Sequence, residues 1–235
     1  MRNIYDPSFV KKLFNQMSSS YERMNYITSL GFSYIWRKQF INIFENTDEK
    51  IKILDLLSGL GENWKLLLEK FPNGDFYGLD FSENMIATSK NKNQKELNNR
   101  FTILQRDLLI DNFDLTNYDI ISCAFGLKTF NHEQLNQVGK TLFNSLKKGG
   151  RFSFIEISVP PNKILRFFYK LYLSKIIPVL GRVFLANSSD YRMLWVYTEN
   201  FKNCKEAKRI FESNGLNVTY KSYFFGCATG LIGYK

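Results

Sequence analysis

Residues 51–80, IKILDLLSGLGENWKLLLEKFPNGDFYGLD, read as a strand, a glycine loop, a helix and a second strand that ends in a carboxylate. Residues 51–57 are a short apolar run suited to a buried parallel strand, and a helical pattern begins within a few residues of Ser58, Gly59, Leu60 and Gly61. Glycines at such a turn let the backbone come close to a ligand. Asp80 follows Gly61 by nineteen residues, after a second apolar run, where an acid can take both hydroxyls of a ribose. The unit predicts a nucleotide-like cofactor, with Phe81 and Met85 just beyond the acid completing its candidate set.

The charge of the loop narrows the cofactor. A dinucleotide fingerprint would carry a third glycine near position 64 and keep the helix start clear for a pyrophosphate, whereas this chain has Trp64 and, at the loop exit, Glu62. An anionic ligand there would meet another anion. S-adenosyl-L-methionine instead brings an adenosine, a sulfonium and an ammonium that Asp55 or Glu62 can meet. The plainer reading is that Glu62 only favours the positive helix N-terminus, worth about 0.3–1 kcal/mol, and that Asp55 braces the loop.

The chain continues as repeated β–α units. Ser82 can cap a helix running to about residue 95, residues 101–105 read as a strand, and residues 118–124 as the next. A helix over 133–146 is expected to stop at Lys147-Lys148-Gly149-Gly150, with a strand over 151–157 after it. A last helix over 205–214 precedes strands near 217–224 and 228–234. This predicts an α/β Rossmann-like fold, a mostly parallel seven-stranded sheet with helices on both faces and its ligands at the carboxyl ends of the strands. One domain is expected over 1–235: an N-terminal helical lid (1–48), a cofactor-binding core (49–157), a helical substrate cover (158–200) and a C-terminal helix with strands (201–235).

At 235 residues the chain can bury a large core without staples. Its three cysteines, Cys123, Cys204 and Cys227, are scattered and match neither a zinc site nor a disulfide frame, so no metal is expected. No apolar run reaches the ~18 residues that span a bilayer, and a cytoplasmic location is expected. The net charge is +10 and uneven: residues 157–189 contain no acid, while Lys163, Arg166, Lys170, Lys175 and Arg182 alternate with aromatic and aliphatic residues. That pattern suits an apolar partner beneath anionic headgroups, hence a peripheral contact on the inner face of the cytoplasmic membrane. The alternative is a helix that packs its apolar face on the sheet and solvates its lysines. Nucleic acid is set aside, because no accessory RNA domain or N-P-P-Y-like amine site accompanies the charge; a homodimer is the protein partner that remains open.

The sequence resembles the UbiE/MenG/COQ5 family of quinone-ring C-methyltransferases, within the class I S-adenosylmethionine-dependent methyltransferases. Four blocks carry the likeness: Phe14, Ser19, Tyr21, Met24-Asn25, Ser29, Gly31 and Trp36; the 51–80 unit with Met85; Phe125-Gly126-Leu127 with Leu146 to Gly150 and Phe154-Ile155-Glu156; and Asp190-Tyr191-Arg192-x-Leu194 with the closing Gly233-Tyr234-Lys235. The resemblance implies that Asp80 holds the ribose, that Gly59 and Gly61 pass under the cofactor, that Asp107 and Leu108 flank the adenine and that Ala124 lines the pocket. It implies methylation of a ring carbon beside a hydroxyl of a reduced, prenylated quinone of menaquinone or ubiquinone type, a small lipophilic aromatic substrate.

The chain departs from the family pattern in several places. GGTGD has become Ser58-Gly59-Leu60-Gly61-Glu62, FGLRN has become Phe125-Gly126-Leu127-Lys128-Thr129, Trp195-Val196-Tyr197 replaces smaller and polar residues, and Leu231-Ile232 replaces a histidine and its neighbour. Trading an arginine fork for one ammonium is not conservative where two bonds are needed. These substitutions are expected to cluster at the acceptor, which leaves open a specialised enzyme acting on a phenolic or isoprenoid product, or a non-catalytic or RNA-binding protein on the same fold. Four residues are candidates for the chemistry: Tyr21 and Tyr191 to orient the acceptor, Lys128 to stabilise a phenolate, and His132, with an unperturbed pKa of ~6.5, as a base. Against these stand a half-packed tyrosine, an exposed lysine and a solvated histidine.

Overall fold

Strand β1 (Lys52–Leu56) lies inside the sheet, pairing in parallel with β2 (Asp75–Asp80) on one side and β4 (Tyr118–Ala124) on the other. The computed structural model describes residues 3–18, 26, 28–109, 115–180 and 188–235. The seven strands run in the order β3-β2-β1-β4-β5-β7-β6, with β3 (Phe101–Gln105), β5 (Leu146–Ile157), β6 (Asn217–Tyr223) and β7 (Ala228–Tyr234). Only β7 runs antiparallel to its neighbours β5 and β6. The strand order reverses between β1 and β4, so a crevice opens at their carboxyl ends, where α/β sheets place ligands.

The alternation of side chains sorts the core into two faces. Leu54, Leu56, Ile121, Phe152 and Phe154 point to one, covered by α5 (His132–Ser145) through Leu135, Val138 and Leu142 and by α8 (Lys205–Ser213) through Ala207, Ile210 and Phe211. Ile53, Ile120 and Ile155 point to the other, covered by α2 (Phe32–Ile41) through Trp36, Phe40 and Ile41 and by α3 (Trp64–Lys70) through Trp64, Leu66 and Leu67. Truncating a fully buried ring such as Phe152 in such a core costs about 3–5 kcal/mol. The Ser153 hydroxyl donates to the Phe40 carbonyl and ties α2 to the sheet.

Three local features differ from the sequence reading or sharpen it. Ser82 does cap α4 (Glu83–Glu96), accepting from the Met85 N–H. Helix α5 ends at Ser145, and residues 146–150 belong to β5: Leu146 pairs with Tyr118, Gly149 donates to the Lys235 carbonyl and Lys235 donates back to Gly150. The helix thus stops within a residue of the expected end, while these ladder bonds start the strand at Leu146 rather than Arg151. Third, α6 (Lys163–Leu171) leads into a π-helical turn at Tyr172–Ile176, and helix continues over 177–180 through Pro178.

Candidate active site

The carboxyl ends of β1 and β4 are strained. Leu57 and Phe125, the residues just beyond them, hold φ of 54° and 64°, the left-handed region that costs a side-chain-bearing residue about 1–3 kcal/mol. Leu57 lies where a Cβ on Gly126 would be, so the two strand ends interlock. Two cavities meet there.

The first is lined by Ser58, Gly59, Glu62, Asp80, Phe81, Met85, Asp107, Leu108 and Ala124, together with Val10 and Phe14 of α1 (Pro7–Met17). Nine of the twelve residues expected to hold the cofactor are thus brought together. Asp80 is buried, its carboxylate accepting from Gly59 N–H at 2.9 Å and Ser82 N–H at 2.9 Å, and burial raises its pKa despite these bonds. Gly59 has φ of 53° and open space where a Cβ would stand, so its backbone can lie against a ligand.

The other three lie behind the cavity. The Gly61 position, expected beneath the cofactor, is filled by the indole of Trp64, which occupies the spaces left by Gly61 and Gly78 and stacks on Phe101 at 4.3 Å. Gly61 therefore makes room for core packing, and Trp64 is fully buried behind the loop. Leu60 is a buried core residue. Asp55 accepts from Asn63 Nδ2 at 2.9 Å and Ser122 Oγ at 2.7 Å, and burial pushes its carboxyl up to about 6.

Sequence reasoning missed the cation that matches Glu62. Arg37 of α2 is buried, donating to Glu62 Oε2 at 2.7 Å and Asn63 Oδ1 at 2.7 Å, with its guanidinium 4.9 Å from the Phe125 ring centroid. The signal was its place on the Trp36, Phe40, Ile41 stripe, since a charge on a buried helical face requires a partner.

The second cavity, of about 470 Å³, lies between α1, α2, α6 and α7 (Ser188–Phe201). Phe14, Phe125 and Thr129 line both cavities and mark where they join. The walls are mainly aliphatic and aromatic, including Leu13, Met17, Trp36, Ile157, Leu165 and Leu173, with hydroxyls at Thr28, Ser29, Ser33 and Thr129, and among the described residues Lys128 is the single charged side chain in them. Lys128 is buried, its Nζ donating to Glu156 Oε1 at 2.9 Å and to the Phe125 carbonyl at 2.7 Å, while its N–H donates to Glu156 Oε2 at 3.0 Å. The exposed-lysine alternative fails. Glu156 was the second missed residue, and an acid inside the buried Phe154-Ile155-Glu156-Ile157 run was the available sign.

Among the described residues three tyrosines line this cavity and all donate to main-chain carbonyls: Tyr169 to Cys227, Tyr172 to Thr28 and Tyr197 to Ile4. Burial raises each of their pKa values, so they stay protonated at neutral pH. His132 lines neither cavity; it is exposed at the start of α5 and pairs with Glu206 at 2.8 Å. Its neighbours Phe130 and Gln134 line the first cavity, but the His132 ring turns to Glu206 on the solvated side. Tyr21 lies outside the described residues, as does the side chain of Tyr191, whose backbone is part of α7.

The departures from the family pattern do not cluster as expected. Lys128, Thr129 and Tyr197 face the second cavity, but Trp195 packs with Leu173 and Ile177, and Leu231 sits in the core opposite Phe154 in the β5–β7 ladder. Only a tertiary fold could separate residues that share one motif.

Solved structures repeat this architecture. The phosphoethanolamine N-methyltransferase 2 of Haemonchus contortus, in complex with S-adenosyl-L-methionine, superposes with a TM-score of 0.62 at 13% identity over 93% of this chain, which spans 60% of that one. A SAM-dependent methyltransferase from Aquifex aeolicus gives 0.56 at 16% identity, covering 84% of this chain and 88% of that one. The fold is that of the class I methyltransferases, and with the family match over nearly the whole chain it defines an S-adenosylmethionine-dependent methyltransferase. More particularly, the chain belongs to the ubiE/COQ5 methyltransferase family, whose profile matches residues 2–235. Relatives include the demethylmenaquinone methyltransferases of Lactococcus lactis, 32% identical over 91% of this chain and 84% of theirs, and of Staphylococcus aureus, 31% identical over 96% and 92%. No helix among the described residues is long and apolar enough to cross a membrane, and none of their His, Cys, Asp and Glu side chains group as a metal site.

Proposed function

We propose that this methyltransferase alkylates a ring carbon of a reduced, prenylated quinone, of the kind the demethylmenaquinone methyltransferases are named for. The observation that carries the reading is the second cavity: its walls are mostly apolar, with, among the described residues, one buried cation at the end that joins the first cavity. An apolar ring and tail fit the walls, and a ring hydroxyl fits Lys128.

S-adenosylmethionine supplies an electrophilic methyl group on a sulfonium. In this reading Asp80 and Gly59 hold its ribose and backbone-facing side, Glu62 faces its ammonium with Arg37 balancing the charge, and Phe81, Met85, Asp107, Leu108 and Ala124 surround the rest. Lys128, fixed by Glu156 and the Phe125 carbonyl, stabilises the ring oxygen as a phenolate whose proton has passed to water, which makes the neighbouring carbon nucleophilic; once that carbon has gained the methyl group, its own proton also leaves to water. Tyr21 and Tyr191 orient the ring, while the N-terminal helices and residues 158–200 cover it. Phe125 keeps ring and sulfonium adjacent while the apolar walls exclude water. The basic, aromatic 157–189 segment touches the anionic membrane that stores the acceptor.

The test is incubation with labelled S-adenosylmethionine and a reduced lipid extract of the source organism, followed by mass identification of the product. Turnover should require a reductant, because a quinol is electron-rich and a quinone is not. A new methyl group on oxygen or nitrogen would overturn the reading. A specialised phenolic acceptor is the second reading, favoured by Lys128 and Tyr197, which give this cavity a polar end and a wall unlike the family pattern. A product lacking a quinol ring would establish it.

A further inference from the structure

Helix α6 presents its apolar stripe to solvent. Ile164, Phe167, Phe168 and Leu171 recur at three- and four-residue spacing and so share one face, and they are 71%, 65%, 60% and 43% exposed. The helix packs on the core through Leu165 and Tyr169 instead. A helix ordinarily buries its apolar stripe, so the alternative in which this face seals the sheet does not hold.

A second element adjoins it. The short turn Phe224–Gly226 between β6 and β7 holds Phe224 and Phe225 at φ of 40° and 54°, a conformation bulky side chains rarely keep, and Phe225 is 77% exposed. Pro161, just before α6, fills the space where a Cβ on Gly226 would stand, so the turn is seated against the start of the helix segment. Phe224, Phe168, Leu30 and Ile176 are exposed and also line the acceptor cavity, which makes them its rim. Strain here holds two aromatic rings outward at a cavity mouth.

We propose that this rim, the α6 stripe together with Phe225, inserts into the apolar layer of an anionic bilayer, so that the acceptor cavity opens into lipid and a tailed substrate enters without crossing water. The inference rests on the lipid-acceptor reading and adds the C-terminal turn as a second membrane element. Lys163, Arg166 and Lys170 flank the stripe at headgroup depth, in a segment without an acid. Arg166 also donates to the Pro160 and Pro161 carbonyls and Lys170 pairs with Glu199, which fixes their stems beside the stripe. The same charges disfavour a second copy of this chain as the occupant, since self-association would bring like charges together.

The test compares the full chain with an Ile164→Ser/Phe167→Ser/Phe225→Asn variant, three positions that line neither cavity. Sedimentation with phosphatidylglycerol vesicles should weaken by about tenfold or more, as removal of buried apolar side chains from an interfacial helix predicts. The KM for a long-tailed quinol should rise severalfold while kcat/KM for a short-tailed analogue stays unchanged. Equal sedimentation of variant and parent would overturn the proposal, as would a parent that is dimeric and a variant that is monomeric by sedimentation velocity, which makes the rim an interface between copies. Vesicle binding lost in the variant, with a parent that methylates no quinol of either length, would support the rim and refute the acceptor reading instead.

Discussion

The Lys128 ammonium stands 2.9 Å from the Glu156 carboxylate with both side chains buried, at the point where an apolar cavity meets the cofactor cavity. The carboxylate also accepts the Lys128 and Ile157 N–H groups, so it is fully committed to holding this corner. A cation so fixed requires no reorganisation to meet a developing ring oxyanion.

Replacing one partner tests both its structural and its chemical role. Glu156→Gln leaves a buried cation short of its counter-charge and is expected to lower stability by about 3–5 kcal/mol. Lys128→Met should abolish turnover yet leave S-adenosylmethionine affinity near that of the parent, because Lys128 does not line the cofactor cavity. Unchanged kcat in Lys128→Met, measured alongside urea denaturation, would remove it from the mechanism.

Asp80→Ala should weaken S-adenosylmethionine binding by an order of magnitude or more, at about 1.5–3 kcal/mol per charged hydrogen bond lost. The variant also strands the Gly59 and Ser82 N–H groups, so a calorimetric titration must be paired with a melting curve. Unaltered affinity would refute the cofactor placement.

Gly59→Ala and Gly61→Ala separate ligand contact from packing. Both impose left-handed strain of about 1–2 kcal/mol, but only Gly61→Ala also collides with the Trp64 ring, which adds about 1–3 kcal/mol of overpacking. Gly61→Ala should therefore be the less stable in urea, and Gly59→Ala the weaker in cofactor affinity relative to its stability. The opposite order would mean that Gly61 is the ligand-facing position.

Burial raises Asp55 from 3.8 to about 6. The folded state then holds this proton where the unfolded state has released it, so stability falls as pH rises from about 4 to about 6, and above that the full penalty, roughly 3 kcal/mol, applies. Asp55→Asn can still accept from Asn63 and Ser122. Its urea midpoint should vary less than the parent's between pH 4 and 6 and lie higher at pH 7; parallel profiles would sink the assignment.

Much of the fold was legible because its signals are local. The apolar runs 101–105 and 118–124 became β3 and β4 at those limits, and Ser82 caps the helix it precedes. The helix stop ahead of KKGG was legible, but the strand begins at Leu146 rather than Arg151, because only the ladder to Tyr118 and the bonds with Lys235 draw these residues into the sheet.

Sequence by itself determined the alternation of strand and helix, the strand-end carboxylate Asp80 and the flexible position Gly59, since propensity, period and glycine placement are properties of neighbouring residues. Tertiary structure alone decided that Arg37 meets Glu62 across 25 residues, that Lys128 meets Glu156 across 28, that Gly61 makes room for Trp64, and that the α6 stripe faces outward. Periodicity states that a face is apolar but not what it faces, and a buried charge chooses its partner only when the chain has brought distant segments within a few ångströms.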